Sequence, residues 1–247
     1  MTKRILAFVL VLVLTMSMLP VSLVSADEIS DVVAAVKASP KAGTHTDAGH
    51  GDDCGVTTGW LPWESDNSLP TSGNYYLTKN VTLTKEHNTI DGELNLCLNG
   101  YVIKQTAKAR VMSLKDKSGA KLTICDCTAY EENGTYYAGA VTGGNDQTAS
   151  TGGGGIFVRK STELEIFDGR FIGNRTQTAG GAILTQAKSG EYAAGKLTIH
   201  NGEFSYMWSA AITVWFTNIP WTLESSCQTI RWIRRACSTM TDIESLL

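Results

Sequence analysis

The phrase Leu164-Glu165-Ile166-Phe167-Asp168-Gly169-Arg170-Phe171 returns as Leu197-Thr198-Ile199-His200-Asn201-Gly202-Glu203-Phe204, the same L-x-I-x-[DN]-G-x-F pattern 33 residues on. Leu122-Thr123-Ile124-Cys125-Asp126 carries the opening of the phrase 42 residues earlier, without the glycine. A second phrase alternates with the first: Gly154-Gly155-Ile156-Phe157-Val158, Gly180-Gly181-Ala182-Ile183-Leu184, and more loosely Ser209-Ala210-Ala211-Ile212-Thr213-Val214. Recurrence at this period restricts the chain to architectures in which one supersecondary unit stacks on its own copies.

Leu122-Thr123-Ile124 and Leu164-Glu165-Ile166 alternate apolar with polar residues, as on a half-buried strand, and so does Leu94-Asn95-Leu96-Cys97-Leu98. Asp-Gly and Asn-Gly tolerate positive φ, so each [DN]-G is expected to turn the chain between two short strands, the following Phe re-entering the core. An antiparallel meander also explains alternation, and Asn-Gly is a hairpin signal as well. Like phrases spaced 33 to 42 residues apart instead fit coils stacked at about 4.8 Å, with Leu and Ile inward. The expectation is an all-β parallel β-helix solenoid over 73–216, of about six coils at roughly 20 to 25 residues each.

Charge and composition narrow the function classes. With 43% hydrophobic and 18% charged residues the chain is not a disordered polyanion. Its 24 glycines lack a Gly-X-Y period, which excludes collagen. The first 26 residues read as a secretory signal: Lys3 and Arg4, an apolar run from Ile5 to Leu14, and small residues Val24-Ser25-Ala26 before Asp27. Thr15, Ser17 and Pro20 interrupt the run before it reaches spanning length, and no other segment approaches it. The mature chain is therefore expected to be extracellular or on the cell surface, with no membrane span. Its charge, already −3 before Lys3 and Arg4 are removed, argues against nucleic acid as a partner. Residues 27–72 read as a short helix, with Val32, Val33 and Val36 at helical spacing, followed by an irregular lead-in or cap. Residues 217–247 lose the pattern, and two readings stand: a capping helix around 229–236, or a product of truncation or frameshift.

Leu96-Cys97-Leu98-Asn99-Gly100-Tyr101-Val102-Ile103, Leu122-Thr123-Ile124-Cys125-Asp126-Cys127 and the Gly-Gly strands together resemble secreted or surface proteins of gut-type Gram-positive bacteria with right-handed parallel β-helix repeats, in the broad pectate-lyase-like fold. The resemblance covers roughly residues 73–206. It implies a non-enzymatic adhesin-like or carbohydrate-facing role toward a polysaccharide or a host or bacterial surface. The alternative it carries is a polysaccharide lyase or glycoside hydrolase, with calcium as a cofactor of the lyase. Its motifs specify fold rather than activity.

Candidate chemistry is sparse. An enzyme of this kind needs outward carboxylates on neighbouring coils, and Asp126, Glu165, Asp168 and Arg170 are the candidates, with Glu203 above them. Against catalysis, Asp126 and Asp168 occupy the turn position where Asn201 also serves, and Thr123 and Thr198 replace Glu165 on equivalent strands. His45, His50 and Cys54 stand close together with Asp47, Asp52 and Asp53, and all are metal-ligand types, but the set lacks paired cysteines. Gly152 to Gly155 lack a following Lys-Ser/Thr, so they read as a corner of close backbone approach rather than a phosphate cradle. Trp60 and Trp63 offer faces for sugar stacking, or plugs for an open end of the solenoid.

Six cysteines, Cys54, Cys97, Cys125, Cys127, Cys227 and Cys237, take on meaning after export, where disulfides persist. If the alternating leucines and isoleucines point inward, Cys97, Cys125 and Cys127 share the outer face. A Cys97–Cys125 bridge between stacked coils is then feasible, and a register shift of two residues would substitute Cys127.

Overall fold

A computed structural model describes residues 26–44, 54, 59–85, 88–147, 152–207, 212–216, 219–223 and 230–232. Apart from one helix, Ala26–Ala35, the described elements are strands, so the chain is all-β. Among the described residues no helix is long and apolar enough to cross a membrane. Apart from Ala26, the signal-peptide reading falls outside the described residues.

Three six-stranded sheets carry the structure. The first runs Leu61–Trp63, Gly73–Leu77, Glu93–Cys97, Lys121–Cys125, Glu163–Ile166 and Lys196–Ile199, all parallel. The second runs Val81–Leu83, Val102–Gln105, Ala140–Thr142, Arg170–Ile172 and Gly202–Ser205, parallel, with Ile230–Trp232 antiparallel at its edge. The third runs Asn88–Ile90, Met112–Leu114, Ile156–Val158, Ile183–Thr185 and Ile212–Phe216, parallel, and closes with antiparallel Ile219–Leu223. From Gly73 onward the described strands visit first, second and third sheet in that order, completing five such circuits.

Register follows the sequence phrases. Leu94, Leu122, Leu164 and Leu197 stand opposite one another in the first sheet, as do Leu96, Ile124, Ile166 and Ile199. Ile103, Val141, Phe171 and Phe204 form the corresponding row of the second sheet, with the two Phe rings stacked at 4.9 Å. Met112, Ile156, Ile183 and Ile212 form that of the third. All belong to one buried apolar cluster. Full burial of each such side chain contributes about 1.5–3 kcal/mol, and a one-residue slip would turn a whole row outward, so the pattern itself holds the register.

The turns obey local stereochemistry. Gly169 and Gly202 take φ of +130° and +138°, so each [DN]-G connects a strand of the first sheet to the next strand of the second. The run from Gly152 to Gly155 is a corner where backbones nearly touch: a Cβ on Gly154 would lie 2.6 Å from the Gly181 carbonyl oxygen and closer still to that of Arg175. The long interval after Cys125 holds a small antiparallel hairpin, Tyr130–Glu132 with Thr135–Tyr137, turned by Asn133-Gly134 at positive φ.

The segments outside the repeat differ from expectation in part. The helix ends at Ala35, and it lies against the second sheet's turns, where Ile29 is buried and Val33 approaches Gly143 and Gly173. In the tail, Ile230–Trp232 is a strand rather than part of a capping helix. It pairs its backbone with Gly202–Ser205, the edge strand that would otherwise be left open.

Candidate functional site

The densest chemistry lies on the outer face of the first sheet. Cys97 and Cys125 face each other across adjacent strands, and because Leu96 and Ile124 point into the core, both thiols project the other way. That face is not open. The lead-in packs Cys54 and Trp60 against it, and Tyr76, Cys127 and Phe167 complete an apolar cluster. The sulfur atoms of Cys54, Cys97, Cys125 and Cys127 all lie within 4.8 Å of one another.

Cys97 stands opposite Cys125, as the sequence register anticipates, but Cys125 is bonded to Cys54 instead. The lead-in, whose path the repeat does not dictate, delivers a further cysteine to the same patch. Cys127 Sγ lies 2.8 Å from Cys54 Sγ and 3.6 Å from that of Cys97. Burial pushes the Cys97 thiol well above its ordinary pKa of 9.0, and the neighbouring Cys127 thiol adds to this, while a backbone hydrogen bond from Cys127 favours the thiolate. His45 and His50, the other metal-ligand candidates, lie outside the described residues.

The four catalytic candidates each have partners of their own, and Asp126 is near enough to Arg170 to act on its charge. Asp126 is buried beneath the turn, accepting from the backbone N–H groups of Gly100 at 3.1 Å, Thr128 at 2.9 Å and Gly139, and from Thr128 Oγ1 at 2.8 Å. Burial raises its pKa, and those donors partly oppose the rise. Asp168 accepts from the Gly169 N–H at 2.7 Å and from Asn201 Nδ2 at 3.0 Å, tying one turn to the next. Glu165 meets His200 Nε2 at 2.7 Å, and the imidazole stacks on Phe167. Arg170 donates to the Ala138 carbonyl at 2.9 Å and to that of Lys37 at 3.1 Å, anchoring the lead-in; burial lowers its pKa, offset in part by Glu203 and Asp126.

The tryptophans divide. Trp60 is only 3% exposed, so its face serves the cysteine cluster and is closed to a sugar. Trp63 is half-buried, edge-on to Tyr75 at 5.1 Å, and donates from Nε1 to the Ser68 carbonyl. Glu93, Lys121, Glu163 and Lys196 stand in register as a row of alternating charge along the first sheet, with Lys196 paired to Glu163. A hollow of about 280 Å³ lies between the helix and the second sheet's turns, lined by Ile29, Val33, Gln105, Gly143, Gly173 and Arg175 among others.

Cys127 is the cluster member that sequence reasoning underrated. The Cys-x-Cys following a strand whose neighbour carries Cys97 at the matching position was the available signal; nothing in the sequence placed Cys54 beside them. Fold and site thus define an all-β protein of three largely parallel sheets with a cluster of three buried cysteines and the half-buried Cys127 on one outer face. Comparison with known proteins finds no matching family model, no matching curated protein and no matching solved structure.

Proposed function

We propose that this chain is a secreted or cell-surface right-handed parallel β-helix protein with a non-enzymatic, adhesin-like binding or structural role toward a polysaccharide or a cell surface. The ordered rotation through three sheets, five circuits among the described residues, supports the solenoid. Its hand follows from the near-universal right-handedness of parallel crossovers.

One observation carries the functional reading: each acidic or basic candidate is engaged in holding the fold. Asp126 and Asp168 close turns, Arg170 ties down the lead-in, and Glu165 is paired with His200. A lyase or hydrolase needs such groups directed at a substrate instead. The charged row from Glu93 to Lys196 offers an extended polymer a regular set of polar contacts.

The test uses the mature chain with pectin and other polysaccharides, with and without calcium. Retention of the chain on one of these polymers, without new reducing ends or unsaturated products, is the expected result. Products of either kind would overturn the reading in favour of a polysaccharide-active enzyme. N-terminal sequencing of the native protein is expected to begin at Asp27, and cytosolic protein starting at Met1 or Thr2 would refute export.

A further inference from the structure

We propose that Cys54, Cys97, Cys125 and Cys127 form a four-thiolate site for a tetrahedral, thiophilic divalent cation of the zinc class. The donor set is that of a closed structural zinc site, in which four sulfurs surround the metal at about 2.3 Å and so lie roughly 3.8 Å from one another. All four sulfurs are within 4.8 Å of one another, and the Cys97–Cys127 pair stands at 3.6 Å. To reach that spacing in the reduced site the cation spreads Cys54 from its near neighbours and draws the widest pair inward.

A single disulfide does not account for the cluster. It engages Cys54 and Cys125 and leaves Cys97 and Cys127 side by side among apolar groups. Cys127 Sγ lies 2.8 Å from that of Cys54, itself bonded to Cys125, and 3.6 Å from that of Cys97, so the four sulfurs form one contact group rather than two separated pairs. They converge on a common centre, as ligands do.

The surroundings match that use. Trp60, Tyr76 and Phe167 pack around the sulfurs and limit water, as the apolar shell of a closed site does. The ligands come from three places: the lead-in, one strand of the first sheet, and the end and exit turn of the next. Asp126, between two of them, clamps that turn through Gly100, Thr128 and Gly139. The metal therefore fastens the lead-in to the sheet.

The bridge and the metal centre are mutually exclusive states of Cys54 and Cys125. Opening the bridge takes two electrons and two protons from a dithiol reductant, which leaves as a cyclic disulfide. Zinc then displaces the four thiol protons, with no further redox change.

The experiment takes the full mature chain, reduced with a dithiol and freed of it without oxygen, then titrated with Zn²⁺ and, as a spectroscopic probe, Co²⁺. The expected result is stoichiometric metal, the visible spectrum of tetrahedral cobalt thiolate, and metal-dependent protection of Cys54, Cys97, Cys125 and Cys127 from alkylation, mapped by mass spectrometry. Cys97→Ser and Cys127→Ser should each weaken zinc binding about 100-fold or more, the upper end for loss of even an outer-shell partner. Cys227→Ser and Cys237→Ser should leave it unchanged. Substoichiometric zinc on a reduced chain that keeps its β-type circular dichroism would overturn the proposal. So would protection confined to other cysteines, or full affinity in the Cys97→Ser/Cys127→Ser double variant. The protection map is read on the wild-type chain, so it decides even if a serine variant does not fold.

Discussion

Replacing Asp126 by alanine is expected to unfold this protein easily while telling nothing about catalysis. Its carboxylate accepts from four donors, the N–H groups of Gly100, Thr128 and Gly139 and the Thr128 hydroxyl. Three of these are backbone amides on separate stretches of chain. A buried donor stranded without an acceptor costs about 1–3 kcal/mol, so three give roughly 3–9 kcal/mol before relaxation. Water entering the vacated space restores part, and removal of a buried charge offsets more, leaving a net loss of about 3–5 kcal/mol. Asp126→Asn keeps one acceptor oxygen but directs an amide NH₂ at donors, for a loss of about 1–3 kcal/mol. Equilibrium urea unfolding followed by tryptophan fluorescence measures both. With a slope of about 2–3 kcal/mol per molar, the alanine midpoint should fall by roughly 1–2 M, with asparagine intermediate. An alanine variant within about 1 kcal/mol of wild type would refute the structural assignment of this carboxylate.

Three further outcomes follow from the same geometry. Asp146→Ala strips the carboxylate from Arg110, a buried guanidinium lying over Phe157, and should cost about 3–5 kcal/mol; a thermal midpoint unchanged from wild type would contradict it. Gly154→Ala should destabilise by about 3 kcal/mol or more, because its Cβ meets the Arg175 and Gly181 carbonyls. Gly134→Asn, at φ +75° with open space around it, should cost under about 1 kcal/mol, and equal effects in urea would defeat the close-approach argument. Leu164→Ala, between Leu122 and Leu197, should lose about 2–5 kcal/mol, whereas its outward neighbour Glu165→Thr should change stability by about 1 kcal/mol or less; the reverse order would mean that the faces of this strand are exchanged.

What the sequence determined by itself is what depends on near neighbours along the chain. Alternation of Leu122 and Ile124, Leu164 and Ile166, and Leu197 and Ile199 sets which side of each strand is buried, because successive side chains on a strand point to opposite faces. Positive φ at Gly169 and Gly202 was legible because a turn two residues after a strand demands it, and the crowding at Gly152 to Gly155 was legible in the run of residues without side chains. The tertiary structure alone decided what depends on where distant segments arrive. The interval between successive strands of one sheet varies with excursions such as the hairpin after Cys125, so the number of strands in each sheet was not readable from an average period. Trp60 and Cys54 became buried, and Cys125 found Cys54 rather than Cys97, because the lead-in descends on an outer face that alternation alone leaves exposed. Asp126 looked like a solvated turn residue, yet donors from three stretches close around it, and Ile230–Trp232 became a strand because an unpaired edge of the second sheet lay within reach. In each case the local sequence specifies which groups a residue offers, while burial and pairing depend on contacts between residues far apart in the chain.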